Sequence, residues 1–279
     1  MTEYITEISE SDANTSYPIT RRIWSGRTAT CESVVIAESS TYGYMLFLDG
    51  ELQSAAADER IYHESLVHPV MAGLPAGARV LVVGGGEGAT VREVLKWLPS
   101  HVDWVDIDPE LVALCAEYLD WAPDVLGDAR VTYRPQDIRE FLEGAGLYDA
   151  IILDLPDPDG DTGYLYSPCF WTHMKEHLSS GGRLVTHVGP VRPFRGGGEG
   201  LRRVANDVNS AGLGFDPRGF YSICIPSFQG SWGFWLYVKE GSPFDFIDSF
   251  RDVGPVVADV GQMQAWASPA PIWRRLFTA

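Results

Sequence analysis

Residues 79–95 read RVLVVGGGEGATVREVL. Arg79 to Val83 is a short, β-branched apolar run with the length of a buried strand. Gly84-Gly85-Gly86-Glu87-Gly88 follows, and Ala89 to Leu98 then has helical spacing. Glycines at such a turn let the chain reverse tightly and let a ligand approach the main chain. Gly84 and Gly86 are therefore candidate cofactor-binding positions. The spacing is not that of a P-loop, since no Gly-Lys-Ser/Thr follows, nor is it a clean dinucleotide fingerprint. Taken alone, the turn is weak evidence.

Working outward toward the C-terminus, strands and helices alternate. Val102 to Asp108, Arg130 to Arg134, Tyr148 to Leu155 and Arg183 to Val188 read as strands. Pro109 to Tyr118, Gln136 to Glu143 and Pro168 to Leu178 read as helices between them. This alternation predicts an α/β chain with a mostly parallel sheet covered on both faces. Phe215 to Cys224 and Ser231 to Val238 read as a final antiparallel pair. Arg195 to Gly200 (RGGGEG) reads as a loop.

Toward the N-terminus the pattern is β. Cys31 to Ala37 and Gly43 to Leu48 are strand candidates, and Asp49-Gly50 is a two-residue hairpin signal into Glu51 to Ser54. Asp58 to His68 reads as a helix capped by Asp58, with Pro69 predicted to end or kink it.

Ligands bind outside the carboxyl ends of strands in such sheets. Asp106 ends the second strand of the series, about 20 residues beyond the glycines, where a carboxylate accepts from both hydroxyls of a ribose. Asp108 reads instead as the cap of the helix at Pro109. Asp137 follows the third strand. It suits either an adenine amino group or a helix cap, and both readings stay open. Asp154-Leu155-Pro156-Asp157-Pro158 ends the fourth strand. With Glu87, its two carboxylates form an acidic edge suited to a cationic amine, and one can take the amine's proton.

The chain has 279 residues, 45% hydrophobic and 21% charged, with a formal net charge of −17. That acidity disfavours nucleic acid and anionic membranes and attracts polycations. No apolar run approaches the roughly 20 residues of a membrane span. The polar start, Met1 to Thr20, lacks a signal-peptide pattern, which predicts a cytoplasmic protein. Cys31, Cys115, Cys169 and Cys224 show no CxxC spacing, so neither a zinc site nor a disulfide framework is expected, and all four are expected to be buried or half-buried.

The segments GYMLFLDGELQSAAADERIYHE, VLVVGGGEGATVREVL, VDIDPELV, DLPDP and IPSFQGSWGF, in that order, resemble the spermidine synthase (polyamine aminopropyltransferase) family over roughly Cys31 to Val238. The most specific part is LDGxxQxxxxDExxYHE, which methyltransferases with the same Rossmann-like core lack. The resemblance implies a Rossmann-like (class I methyltransferase-like) sheet in residues 61–279, behind a small antiparallel β domain in residues 1–60. It implies transfer of the aminopropyl group of decarboxylated S-adenosylmethionine to a polyamine acceptor such as putrescine, releasing methylthioadenosine. No metal or prosthetic group is expected, because a sulfonium carries its own leaving group.

By the same resemblance, Gln53 lies near the cofactor, Glu87 and Asp154 hold the aminopropyl ammonium, Asp106 the ribose and Asp137 the adenine. Asp154 is the expected catalytic base. Tyr62 and Asp157 line the acceptor channel beside it, His63 follows Tyr62 as in many members, and Pro158 to Tyr164 is a gating loop. Family members usually form homodimers or homotetramers. The alternative is a transferase using intact S-adenosylmethionine for methyl or carboxy-aminopropyl transfer. A polyamine- or nucleoside-binding protein without activity is a third reading. Three positions depart from the family pattern. Glu32 and His187 stand where glutamines are common, and Phe228 replaces a tyrosine, which removes a hydroxyl from the acceptor side. Phe228 thus reads as channel wall or core.

Overall fold

A computed structural model describes residues 3–8, 14–122, 124–157, 163–192, 198–245 and 251–268. Strands β1 (Glu3–Ile8) and β2 (Asn14–Ile19) form an antiparallel ribbon. Strands β3 (Arg21–Gly26), β4 (Val34–Ser39), β5 (Gly43–Leu48) and β6 (Glu51–Ala55) form a second antiparallel sheet in chain order. The β5–β6 turn is the predicted Asp49-Gly50, with φ of 50° and 91°. Both values are left-handed, as a two-residue hairpin that matches strand twist requires. Strand β4 starts at Val34, later than the predicted Cys31. The residues before it serve another purpose: the hydroxyls of Thr28 and Thr30 donate to the Asp108 carboxylate.

Helix α1 spans Glu59–Met71 and runs through Pro69, so of the two predicted effects the proline does not end the helix. Proline removes the N–H that would bond the carbonyl four residues back. That carbonyl belongs to Ser65, and the buried hydroxyl of Tyr221 donates to it instead at 2.8 Å. Asp58 sits at the N-cap position but makes no capping bond. Its carboxylate accepts from the Ser227 amide (2.7 Å) and hydroxyl (2.8 Å), tying the start of α1 to the distant IPSF segment.

A seven-stranded sheet follows. It is built from β7 (Arg79–Gly84), β8 (His101–Asp106), β9 (Val131–Pro135), β10 (Tyr148–Asp154), β11 (Leu178–Pro190), β12 (Phe220–Ile225) and β13 (Gly230–Val238). Its order is β12-β13-β11-β10-β7-β8-β9, with β9, β8, β7, β10 and β11 parallel and β13 antiparallel to both neighbours. The chain runs outward from β7 to β9, then returns to β10 on the other side of β7. This reversal opens a crevice at the carboxyl ends of the central strands.

Helices α2 (Ala89–Leu95), α3 (Pro109–Tyr118), α4 (Ile138–Leu142) and α5 (Pro168–Glu176) connect these strands. Val80 to Val83 on β7 are buried on both faces, which explains the unbroken apolar run. Helix α2 stops before the predicted Leu98, which takes a left-handed φ of 54° ahead of Pro99. Asp108 caps α3 as expected, accepting from the Leu111 amide at 2.9 Å.

Two helices were not anticipated. In α6 (Glu199–Ser210), Leu201, Val204 and Val208 are buried, and Glu199 and Gly200 belong to the helix rather than to the expected loop. Helix α7 (Val260–Trp266) follows a segment whose amides at Val256, Val257 and Ala258 all donate to the Glu64 carboxylate. The four cysteines are free, and Cys169 and Cys224 are exposed rather than buried. Cys224 lies on β12, an edge strand of the seven-stranded sheet.

Candidate active site

Gly84 on β7 pairs with Asp154 on β10, and Asp106 on β8 pairs with Pro135 on β9. Parallel register thus places the Gly84 turn, Asp106 and Asp154 at one edge of the sheet. A Cβ on Gly84 would lie 2.0 Å from the Asp154 carbonyl oxygen, and one on Gly85 would lie 2.7 Å from Asp154 Oδ2. Both residues also have left-handed φ (80° and 68°). Only glycine fits where the turn presses this closely on the neighbouring strand end.

Asp154 is the hub of the edge. Tyr62 from α1 donates to its Oδ1 at 2.8 Å, and Thr90 from the first turn of α2 donates to its Oδ2 at 2.5 Å. Burial and the adjoining Asp154 charge hold the Tyr62 phenol well above its ordinary pKa, so it remains a donor. Asp106 accepts from the Asp108 amide at 2.9 Å. Burial pushes its carboxyl up to about 7, and the charges of Asp108, Glu87 and Asp154 add to the rise against that amide bond. Asp106, Glu87 and Asp154 thus make this edge of the sheet acidic.

A second chain of contacts runs behind Glu87. His63 Nε2 lies 3.2 Å from the Glu87 carboxylate, and His63 Nδ1 lies 2.9 Å from Glu59. Arg92 grips Glu59 with both terminal nitrogens, at 2.9 and 2.8 Å. Burial opposes a charge on His63, but Glu59 and Glu87 outweigh it and push its pKa to about 10. His63 is therefore an imidazolium at neutral pH, held between two carboxylates.

On the other side of Asp154, His187 on β11 is 2% exposed, with Nδ1 3.6 Å from Asp157. Its ring stacks on Trp232 at 22°, and Phe228 packs against both Trp232 and Tyr62 (ring centroids 4.7 and 6.1 Å apart). Phe228 thus lies half-buried beside Tyr62. A cavity of about 280 Å³ lies along Phe228, bordered by Pro190, Arg192 and Ser231. A second, of about 270 Å³, adjoins Gly86 and Glu87 and is bordered by Trp104, Val112 and Val125.

Two predicted residues stand apart from this cluster. Gln53 on β6 donates to the Glu51 carbonyl at 3.4 Å. Asp137 caps α4 through the Arg139 amide (2.7 Å) and pairs with that residue's guanidinium, which holds its carboxyl below the usual range. Neither is hydrogen-bonded to Asp154, Glu87 or Asp106 among the described residues. Glu32 is exposed, ahead of β4. Most of the expected gating loop, residues 158–162, lies outside the described residues. Thr90, Glu59 and Arg92 were not singled out from the sequence. Thr90 and Arg92 lie within RVLVVGGGEGATVREVL and Glu59 within LDGxxQxxxxDExxYHE, but only the fold shows what they touch.

The family model for the spermine/spermidine synthase domain matches residues 59–242. The chain belongs to the spermine/spermidine synthase family. Among curated members of this family, polyamine aminopropyltransferase 2 of Pseudomonas aeruginosa is 36% identical over 248 residues, covering 83% of this chain and 67% of the relative. A polyamine aminopropyltransferase of Sulfolobus acidocaldarius is 36% identical over 218 residues, covering 75% and 68%. The fold agrees. The crystal structure of spermidine synthase from Thermotoga maritima superposes with a TM-score of 0.83 at 20% identity, covering 98% of this chain and 93% of the other. A spermidine synthase in complex with the transition-state analogue AdoDATO superposes at 0.87 with 21% identity, covering 98% and 94%. The chain is accordingly an aminopropyltransferase of the spermidine synthase type.

Proposed function

We propose that Asp154 acts as the base in transfer of an aminopropyl group from decarboxylated S-adenosylmethionine to a diamine or polyamine, leaving methylthioadenosine. The observation that carries this reading is the fixing of both Asp154 oxygens by Tyr62 and Thr90 at the mouth of an acidic crevice. Free alkylamines have pKa values around 10, judged from lysine, so the acceptor arrives protonated. A carboxylate that cannot rotate away is placed to take that proton and free the nitrogen lone pair. The sulfonium needs no further activation. The remaining task is to hold nitrogen and methylene carbon in line at about 3 Å.

In this reading Asp106 holds the ribose, Asp137 and Gln53 contact the nucleoside, and the Gly84–Gly86 turn gives it room. Glu87 and Asp154 hold the aminopropyl ammonium. Because Glu87 already faces the His63 imidazolium, it offers less than a full charge to the ligand. The acceptor runs past Tyr62, His63, Asp157 and Phe228, and catalysis falls to Asp154, supported by Tyr62 and Asp157. Residues 1–60 and 61–279 act as β unit and catalytic unit. The reading includes a cytoplasmic homodimer or homotetramer, which size-exclusion chromatography with light scattering checks. Among the described residues no helix is long and apolar enough to cross a membrane.

A mass-spectrometric turnover assay tests the function. Decarboxylated and intact S-adenosylmethionine are offered separately, each with putrescine, cadaverine, agmatine, spermidine or no amine. The expected result is methylthioadenosine plus an amine heavier by one aminopropyl unit, from the decarboxylated form only. Turnover of the intact form alone would overturn the reading.

A further inference from the structure

His187 carries a geometric constraint on its protonation. Its Nε2 lies 2.6 Å from the Leu155 carbonyl oxygen. A carbonyl only accepts, so Nε2 carries a hydrogen. In a neutral ring Nδ1 is then a bare lone pair, and it faces the Asp157 carboxylate at 3.6 Å. A lone pair opposite a carboxylate repels, whereas an N–H there makes an ion pair. The three-residue segment Leu155 to Asp157 thus supplies both contacts.

We infer that His187 is a positioning residue which, when protonated, occupies the Asp157 carboxylate in competition with the ammonium of the acceptor amine. The inference rests on the acceptor role proposed for Asp157. One proton moves: on amine binding, Nδ1–H leaves His187 for solvent and Asp157 turns from imidazolium to ammonium. No covalent bond between heavy atoms changes.

Several described groups surround His187. Tyr62 faces it from α1 with ring centroids 6.1 Å apart, and Trp232, stacked from β13, carries no charge. Tyr166, ahead of α5, donates to the Pro156 carbonyl at 3.0 Å. Burial, with the nearby carboxylates, holds both phenols protonated well above neutral pH. Arg203 on α6 acts on Tyr166 and lies 3.9 Å from Asp207. Asp154 is bonded to Tyr62 and Thr90. Asp157 is the carboxylate that His187 meets directly.

Two measurements on the full chain test this. The first follows the His187 ring by NMR through a pH titration of the ligand-free protein and of Asp157→Asn. The midpoint is expected to be about one unit higher in the native protein, a normal size for an adjacent opposite charge. Equal midpoints would overturn the pairing. The second is calorimetry of putrescine binding near pH 6.5 in two buffers of different ionisation heat. The native protein is expected to release up to one proton per amine more than His187→Gln, since an amide still donates to Leu155 but cannot become charged, while any release from Asp106 is common to both. Equal release from both, with both binding putrescine, would overturn the competition and leave the proposed function standing. If the native protein neither bound nor turned over any amine, the proposed function would fall and the competition with it.

Discussion

The hydroxyl of Tyr62, near the start of α1, donates to Asp154 Oδ1 at 2.8 Å across 92 residues of sequence. With Thr90 on the other oxygen, the Asp154 carboxylate has one orientation. Hydrogen bonds to charged groups contribute about 1.5–3 kcal/mol. Tyr62→Phe and Thr90→Val should therefore each lower kcat by about 10- to 100-fold. Asp154→Asn, which removes the base, should lower it by about 10²- to 10⁴-fold. Steady-state kinetics with decarboxylated S-adenosylmethionine and putrescine decide it. A correctly folded Tyr62→Phe with native kcat would argue against a positioning role for the phenol.

Glu87 discriminates between the two forms of the cofactor. A carboxylate attracts a lone ammonium and repels the carboxylate of intact S-adenosylmethionine. Glu87→Ala should weaken binding of the decarboxylated form more than that of the intact one, as read by calorimetry. The reverse order would contradict the placement of the aminopropyl end at Glu87.

Asp106 ties ligand affinity and stability to pH. Its carboxyl is raised to about 7 by burial and by the neighbouring carboxylates. Ribose hydroxyls donate best to the ionised form, so methylthioadenosine should bind about tenfold tighter at pH 8 than at pH 6. Asp106→Asn should flatten that dependence. The stability effect has the opposite sign. A carboxyl whose folded pKa lies above its unfolded value of about 3.9 favours folding below that value and loses the contribution as pH rises through 7. Asp106→Asn should then melt above the native protein at pH 8, with the gap closing toward pH 5. A constant gap would mean that Asp106 is ionised throughout.

Tyr221 and Pro69 should be coupled. Tyr221→Phe leaves the Ser65 carbonyl buried without its donor, a loss of about 1–3 kcal/mol. In Pro69→Ala the new backbone N–H can take that carbonyl by the ordinary helical bond. The cost of Tyr221→Phe should shrink in the Pro69→Ala background, as measured by a urea-denaturation double-mutant cycle. Additive effects would mean that the hydroxyl and the proline act independently.

Much of the fold was legible because the relevant forces are local. Alternating apolar and amphipathic segments marked the strands and connecting helices of the sheet. The Asp49-Gly50 turn and the Asp108 cap were readable from backbone preference alone. Helix α6 was missed because the glycines before it dominate the local pattern. Its helical state depends on burying Leu201, Val204 and Val208. The edge that holds Gly84, Asp106 and Asp154 was also readable, since strand ends in a parallel sheet fall together. Gln53 came from motif position alone, which says nothing of what its side chain reaches, and of the two readings of Asp137 the helix cap is the one its hydrogen bond shows.

By itself, then, the amino-acid sequence determined the order of strands and helices from β7 to β11, the glycine turn and the acidic character of the crevice. Each follows from side-chain chemistry and short-range geometry. Only the tertiary structure decided partners. Asp58 bonds Ser227 rather than its own helix, Tyr221 rescues the carbonyl that Pro69 orphans, Thr90 pins Asp154, and His187 faces Asp157. The physical reason is that a buried polar group must find a partner, and which one it finds depends on what packing brings within about 3 Å, whatever the distance along the chain.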